Sequence, residues 1–311
     1  MHFTNMKGNY YKPRMFRLLK WMLGLYQEAR PRSPSTGVSV PFIHNDGSLL
    51  RRADLETLTW IGHASFLLQL GGKSALIDPV LSSSLAWIKR NATPGLDWPA
   101  LPPVDVVFIT HDHRDHMDAP TLKKLGPGPA YIVPKGLGKW FRNHGMQRVT
   151  EMEWWQQEEI EGFQITFVPA EHWGRRGLSD VNTSWWGGYV IEHDGLRVYH
   201  SGDTAWFDGF QRIRERCGMI DVAMLPIGAY SPHWFMREMH MNPEEAINAF
   251  LSLQARHFVA MHWGTFKLSD EPLDEPPLLL LQAWDRLNLP KKELTIPAIG
   301  ETLLLSSMRS D

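Results

Sequence analysis

The stretch Thr110-His111-Asp112-His113-Arg114-Asp115-His116-Met117-Asp118 decides how this chain is read. It follows an apolar, β-type run, Val104 to Ile109, with the character of a strand buried on both faces. Three histidines and a carboxylate fall within six residues, where the strand gives way to a loop. Imidazole and carboxylate together suit zinc or a similar divalent ion. Side chains two apart on extended backbone share a side, so His111 and His113 can face one ion. Asp115 and His116 then reach toward a second. H-x-H-x-D-H is in this sense a two-metal signature. A solvated charged loop is the plainer alternative, and four candidate ligands directly after a buried strand weigh against it.

Three further candidates each lie at the end of a strand-like run. His172 follows Phe163 to Val168, Asp203 follows Leu196 to Ser201, and His262 follows His257 to Met261. Ligands that converge from several loops at one rim of a sheet are what a shared metal site requires.

In this order the residues resemble the motifs of the metallo-β-lactamase superfamily: H-x-H-x-D-H, a later His, a later Asp and a final His. The segments Trp60-Ile-Gly-His-Ala64, Glu153-Trp-Trp155, His172-Trp173, Gly202-Asp-Thr204, Pro226-Ile-Gly-Ala-Tyr230, Trp234-Phe-Met236, Pro243-Glu-Glu-Ala246 and His262-Trp-Gly-Thr-Phe266 are similar to its N-acylphosphatidylethanolamine phospholipase D branch. The similarity runs from about Leu55 to Pro277. It departs at Asp112, where the mammalian enzyme carries Asn, and at Asn242, where Asp is expected; neither is a ligand position.

The resemblance implies a four-layer αββα sandwich, while patterning alone supports only a sheet-rich α/β or α+β chain. It implies that His111, His113 and His172 hold one metal, that Asp115, His116 and His262 hold the other, and that Asp203 bridges them. The expected cofactor is a pair of Zn2+ ions, with Mn2+ or Fe2+ as alternatives. The implied reaction is attack of a bridging hydroxide on phosphorus, which cleaves an N-acylphosphatidylethanolamine-like lipid to phosphatidic acid and N-acylethanolamine. Asp115, Asp203 and His240 are the candidate catalytic residues; Tyr230, Trp234 and His240 are the candidates for substrate contact. For His240, a hydrogen-bonded loop histidine is the competing expectation. His63 is expected to support the ligands or to serve structure alone. Other readings keep the metals but change the ester, to a lactone, a cyclic phosphodiester or a sugar lactone phosphate. A metal-binding regulatory or membrane-docking protein is the non-enzymatic alternative.

Composition narrows the field. The chain has 311 residues, 43% of them hydrophobic, enough for a large core without cross-links. Its single cysteine, Cys217, excludes an intrachain disulfide and fits a reducing compartment. The formal net charge of -2 argues against nucleic acid as a partner. Charge is unevenly spread. Residues 1–36 carry seven basic residues against Glu28 alone, a balance of +6, which leaves -8 on residues 37–311.

The expected organisation is therefore a basic arm and linker over 1–36 and a hydrolase domain over 37–311. In the arm, Arg14, Arg17 and Lys20 recur every three residues. Met15, Leu18, Leu19, Met22 and Leu25 fill the other side, with Phe16, Trp21 and Tyr26 interleaved. Such a helix suits a membrane interface; docking on the parent domain or a sister subunit, in a homodimer, is the alternative. No apolar run reaches the roughly 20 residues of a spanning helix, and no secretory signal is evident. The expected location is cytoplasmic, peripheral on the inner face of a membrane. Fourteen tryptophans suit an acyl-accepting groove or an interface belt, with core packing as the plainer role for many.

Overall fold

The computed structural model describes residues 2–6, 8, 15–26, 33–177 and 179–309. The strands, in chain order, are β1 (Thr57–Gly62), β2 (Ser65–Leu70), β3 (Lys73–Ile77), β4 (Ser84–Leu85), β5 (Ile88–Lys89), β6 (Val106–Phe108), β7 (Ala130–Pro134), β8 (Val149–Met152), β9 (Gln157–Ile160), β10 (Phe163–Val168), β11 (Gly188–His193), β12 (Leu196–His200), β13 (Val222–Pro226), β14 (His257–Met261), β15 (Leu294–Thr295) and β16 (Thr302–Leu304). The α-helices are α1 (Met15–Met22), α2 (Ala119–Leu125), α3 (Gly138–Asn143), α4 (Gly209–Cys217), α5 (His233–Met236), α6 (Pro243–Leu253) and α7 (Glu275–Arg286).

Among the described residues, β16-β1-β2-β3-β6-β7-β8 form one seven-stranded sheet and β15-β14-β13-β12-β11-β10-β9 another; β4 and β5 form a separate hairpin. The two sheets share a core, and the pleat explains how. Trp60, Phe66, Leu68, Ile77 and Phe108 point from the first sheet into the cluster that holds Phe167, Tyr189 and Val198 of the second. The alternate residues Leu67, Leu76, Val107 and Val133 point the other way, onto Leu122 of α2 and Phe141 of α3. Phe250 of α6 and Trp284 of α7 cover the far face of the second sheet. The result is the four-layer arrangement, and the sheet strands are apolar on both faces because both are covered.

Strand direction places the site. In the first sheet β3 and β6 are parallel, and in the second β12, β13 and β14 are parallel. β10 runs the same way as β12, because both are antiparallel to β11. The loops after β3, β6, β10, β12, β13 and β14 therefore leave their sheets at the carboxyl ends of the strands. The loop after β13 enters α6 through a capping box: Asn242 Oδ1 accepts from the Glu245 backbone N–H, and Glu245 Oε2 accepts from that of Asn242, each at 2.9 Å.

Sequence pattern predicts an inward stripe of Ala246, Ile247, Phe250 and Leu251 on α6 and one of Leu278, Leu281, Trp284 and Leu287 in the α7 region, and both faces differ in part. Leu278, Leu281 and Leu287 of the α7 region and Leu251 of α6 are exposed, while Leu280, Ala283, Trp284 and Leu253 are buried. Residues 278–281 are four consecutive leucines, so hydrophobicity there marks no single stripe.

Helix α1 packs on the body. The Trp21 indole N–H donates to Asp270 at 3.0 Å, and the Tyr26 hydroxyl donates to the same carboxylate. Trp21 stacks on Phe235 with ring centroids 5.5 Å apart, and Arg17 pairs with Glu238 at 2.9 Å. Phe16 and Leu23 are nonetheless 76% and 66% exposed, and Leu19 and Leu25 are exposed as well. The expected parts of Arg14, of the Met15, Leu18 and Met22 side chains and of linker residues 30–32 lie outside the described residues. Among the described residues no helix is long and apolar enough to cross a membrane.

Candidate metal centre

All seven ligand candidates gather at the rim where the two sheets open. His111, His113 and His172 form one group, with His111 Nε2 and His172 Nε2 at 3.0 and 3.2 Å from His113 Nδ1. Asp115, His116 and His262 form the next, joined by His63. Asp203 lies between the groups. Its carboxylate is 3.1 Å from His116 Nε2, 3.1 Å from His262 Nε2 and 4.0 Å from His111 Nε2.

The backbone and neighbouring side chains set which nitrogen faces inward. His116 Nδ1–H donates to Asp78 Oδ2 at 2.7 Å, which leaves Nε2 toward the cluster. Asp78, just past β3, also accepts from the Thr110 backbone N–H at 2.8 Å and from the Thr110 hydroxyl at 2.6 Å. That hydroxyl in turn accepts from His111 Nδ1–H at 3.0 Å. His172 Nδ1–H donates to the Met239 carbonyl at 3.0 Å, again freeing Nε2. A fixed tautomer of this kind is how metal-binding histidines are held. His63 and His262 both adopt positive φ, 57° and 64°, and the His262 backbone N–H donates to the His63 carbonyl at 2.9 Å. Side chains seldom tolerate that backbone, and such strain is frequent at functional sites.

The donor set fits divalent cations. His116 Nε2, His262 Nε2, His240 Nδ1 and Asp203 Oδ1 are buried without a hydrogen-bond partner among the described residues, although buried polar atoms are nearly always satisfied. Burial, and then the neighbouring imidazoles, pushes the pKa values of His111 and His172 well below the usual range, and burial lowers His113. These rings are therefore neutral, the form that binds a metal. His116 goes the other way. Burial disfavours its cation, but Asp203, Asp78 and Asp115 outweigh burial and raise its pKa well above the usual value. Carboxylates packed this densely call for positive charge, which a metal ion would supply in place of a proton.

The remaining candidates lie around this cluster. His240 Nδ1 is 3.8 Å from Asp203 Oδ2, and burial lowers its pKa to about 4. His63 Nε2–H donates to Asp115 Oδ2 at 3.1 Å, and burial, then His262, lowers its pKa to about 3. Tyr230 and Trp234 sit farther out. The Tyr230 hydroxyl donates to Glu275 at 2.6 Å, and its ring lines a cleft of about 320 Å³ with His233, Pro243, Leu279 and Arg286. Trp234 lies beneath the arm, with Lys20 5.3 Å over its ring and Tyr26 5.9 Å away.

Of the other tryptophans near the site, Trp173 meets His113 edge-on at 4.7 Å, Trp263 stacks on Trp60, and Trp154 and Trp186 pack around Trp185. Sequence reasoning missed Asp78 and the Met239 carbonyl. Asp78 had one signal, a carboxylate closing the buried run that ends at Ile77; a backbone carbonyl leaves none.

Comparison with known proteins agrees with this geometry. A model of the β-lactamase superfamily domain matches residues 74–263. The chain is 39% identical over 228 residues to the N-acyl-phosphatidylethanolamine-hydrolyzing phospholipase D 1 of Caenorhabditis elegans, an alignment that covers 68% of this chain and 64% of that protein. The chain thus spans just under two-thirds of that relative's length. A UPF0173 metal-dependent hydrolase of Thermococcus onnurineus is 31% identical over 247 residues, covering 79% of this chain and 98% of the relative. Among solved structures, Igni18, a metallo hydrolase from Ignicoccus hospitalis, superposes with a TM-score of 0.59 at 25% identity, covering 80% of this chain and 97% of that one.

Proposed function

Because the chain belongs to the β-lactamase superfamily, among its metal-dependent hydrolases, we propose that it is a dinuclear zinc phosphodiesterase acting on N-acylated phosphatidylethanolamine. The observation that carries the dinuclear reading is the place of Asp203, within 3.1 Å of both His116 and His262 and 4.0 Å from His111. One carboxylate facing both donor groups suits a bridge. The substrate class follows the activity for which the Caenorhabditis elegans relative is named.

In this reading His111, His113 and His172 would hold one ion, Asp115, His116 and His262 would hold the other, and Asp203 would serve both. Bound there, the pair would lower the pKa of water from about 15.7 toward about 7 and offset the phosphodiester's negative charge. The chain's own residues do the rest. Asp78 and Met239 keep the inward nitrogens of His116 and His172 free of protons. The lipid's phosphorus gains a hydroxyl from water, its bond to the ethanolamine oxygen breaks, and that oxygen takes a proton. His240, neutral at pH 7 and 3.8 Å from Asp203, stands near the leaving oxygen as a hydrogen-bond donor.

The arm has a matching task. The exposed Phe16, Leu19, Leu23 and Leu25 face a phospholipid surface. Residues 1–36 then form a docking arm on a hydrolase body of residues 37–311.

The test is turnover of N-acylphosphatidylethanolamine in mixed micelles by the zinc-loaded chain, with phosphatidic acid as the product followed. Release of phosphatidic acid that disappears in Asp203→Asn supports the proposal. Hydrolysis of soluble lactones with none of the lipid overturns the substrate assignment.

A further inference from the structure

Residues 2–5 are built into the wall of the candidate metal centre. Asn5 is 3% exposed. Its Oδ1 accepts from the backbone N–H of His172 at 3.2 Å and from the indole N–H of Trp186 at 3.0 Å. The residues around it hold the same loop. His2 Nδ1–H donates to the Val181 carbonyl at 2.8 Å, the Phe3 backbone N–H donates to the Asn182 carbonyl at 2.8 Å, and the Phe3 ring stacks on Trp185 at 4.4 Å. One amide oxygen thus ties together both ends of the segment 172–186.

His172 depends on that tie. Its ring is held from one side, by Nδ1–H on the Met239 carbonyl, and its Nε2 must then point at His113 Nδ1, 3.2 Å away. The ring direction follows the backbone that carries it, and Asn5 holds the backbone N–H. Without that acceptor a buried N–H loses its partner, which a folded chain relieves by moving.

We propose that Asn5 is a positioning residue for His172, and that its side-chain oxygen thereby sets how tightly the His111–His113–His172 group holds its ion. The proposal rests on the reading that this group binds metal, and the experiment separates the two. Zinc affinity of the full metal-free chain is measured by chelator competition, and the Co2+-loaded chain is followed by its visible absorption. Four variants are compared: Asn5→Ala, Asn5→Asp (which keeps the acceptor), Phe3→Ala (which loosens the same segment but spares it) and His172→Ala. If Asn5→Ala does not fold, Asn5→Gln, which misplaces the acceptor by one methylene, takes its place.

The expected result is a loss of about 10–100-fold in the affinity for one of the two zinc ions in Asn5→Ala, the range for residues that orient a metal ligand. The cobalt spectrum changes with it, and Asn5→Asp stays within a few-fold of the parent. Unchanged affinity in Asn5→Ala beside a deficient His172→Ala overturns the role of Asn5 and leaves the metal reading intact. A spectral change equal in Phe3→Ala assigns the effect to general packing and overturns it too. Unchanged zinc binding in His172→Ala sinks the metal reading of that group, and the proposal with it.

Discussion

Asp78 Oδ2 accepts a hydrogen bond from His116 Nδ1–H at 2.7 Å, and both side chains are fully buried. The other oxygen, Oδ1, is occupied by the Thr110 backbone N–H at 2.8 Å. In Asp78→Asn the amide nitrogen therefore falls opposite His116 Nδ1, donor against donor. The imidazole answers by moving its proton to Nε2, the atom that faces Asp203. Zinc content is expected to drop from two toward one per chain, and turnover to fall about 10–100-fold. Elemental analysis with steady-state kinetics checks this; two tightly held zinc ions in Asp78→Asn would remove the tautomer argument.

Asp203→Asn keeps the shape of the central carboxylate and removes its charge. Two nearby imidazoles, His116 and His262, lose their common anionic neighbour. Turnover is expected to fall about 100- to 1000-fold, the scale on which loss of a charge-stabilising group acts. The measurement is activity at saturating zinc, so that weakened binding and weakened chemistry are told apart. A loss fully restored by added metal assigns Asp203 to affinity alone.

His240→Ala tests the leaving-group role. Loss of a hydrogen-bond donor to the departing oxygen costs roughly 100-fold or more when that oxygen is a poor leaving group. An alkyl alkoxide is one; a nitrophenolate is not. The expected pattern is a large loss on N-acylphosphatidylethanolamine and a small one on a nitrophenyl phosphodiester. Equal losses on both would show that His240 does not serve the departing oxygen.

The exposed face of α1 gives a prediction that is independent of the chemistry. Replacing Phe16, Leu19 and Leu23 together by serine removes apolar area that a bilayer would cover. Buried side chains of this size are worth about 1.5–3 kcal/mol each, so even partial insertion makes the triple variant bind vesicles at least about tenfold more weakly. Flotation with vesicles containing anionic lipid measures it, and activity on a short-chain soluble diester serves as the control. Undiminished flotation would end the role of α1 as an anchor.

What could be read from the chain alone follows contact distance along it. The His111–His116 cluster was legible because its spacing is local and follows a buried strand. The α6 start is legible in local sequence, because Asn242 is a favoured N-cap, Pro243 suits the first helical position and Glu245 completes a capping box. The edge strand β9, Gln157–Ile160, was not foreseen, because its residues are largely polar. The inward face of α7 was misjudged because its leucines adjoin one another. Tyr230 and Trp234 were recognised as notable, but their partners Glu275 and Tyr26 are 45 and 208 positions away. Asn5 meets His172 across 167 positions, and nothing near either residue announces it.

The donor groups come from both halves of the sandwich: His111, His113, Asp115 and His116 follow β6 in one sheet, while His172, Asp203 and His262 follow strands of the other. Ions seated among them would rivet the two halves together. By mass action, free metal at 1,000 times its dissociation constant adds about 4 kcal/mol to the free energy of unfolding. The melting temperature of this chain would then become a gauge of ambient metal, with starvation for the ion and thermal collapse one event seen from two sides.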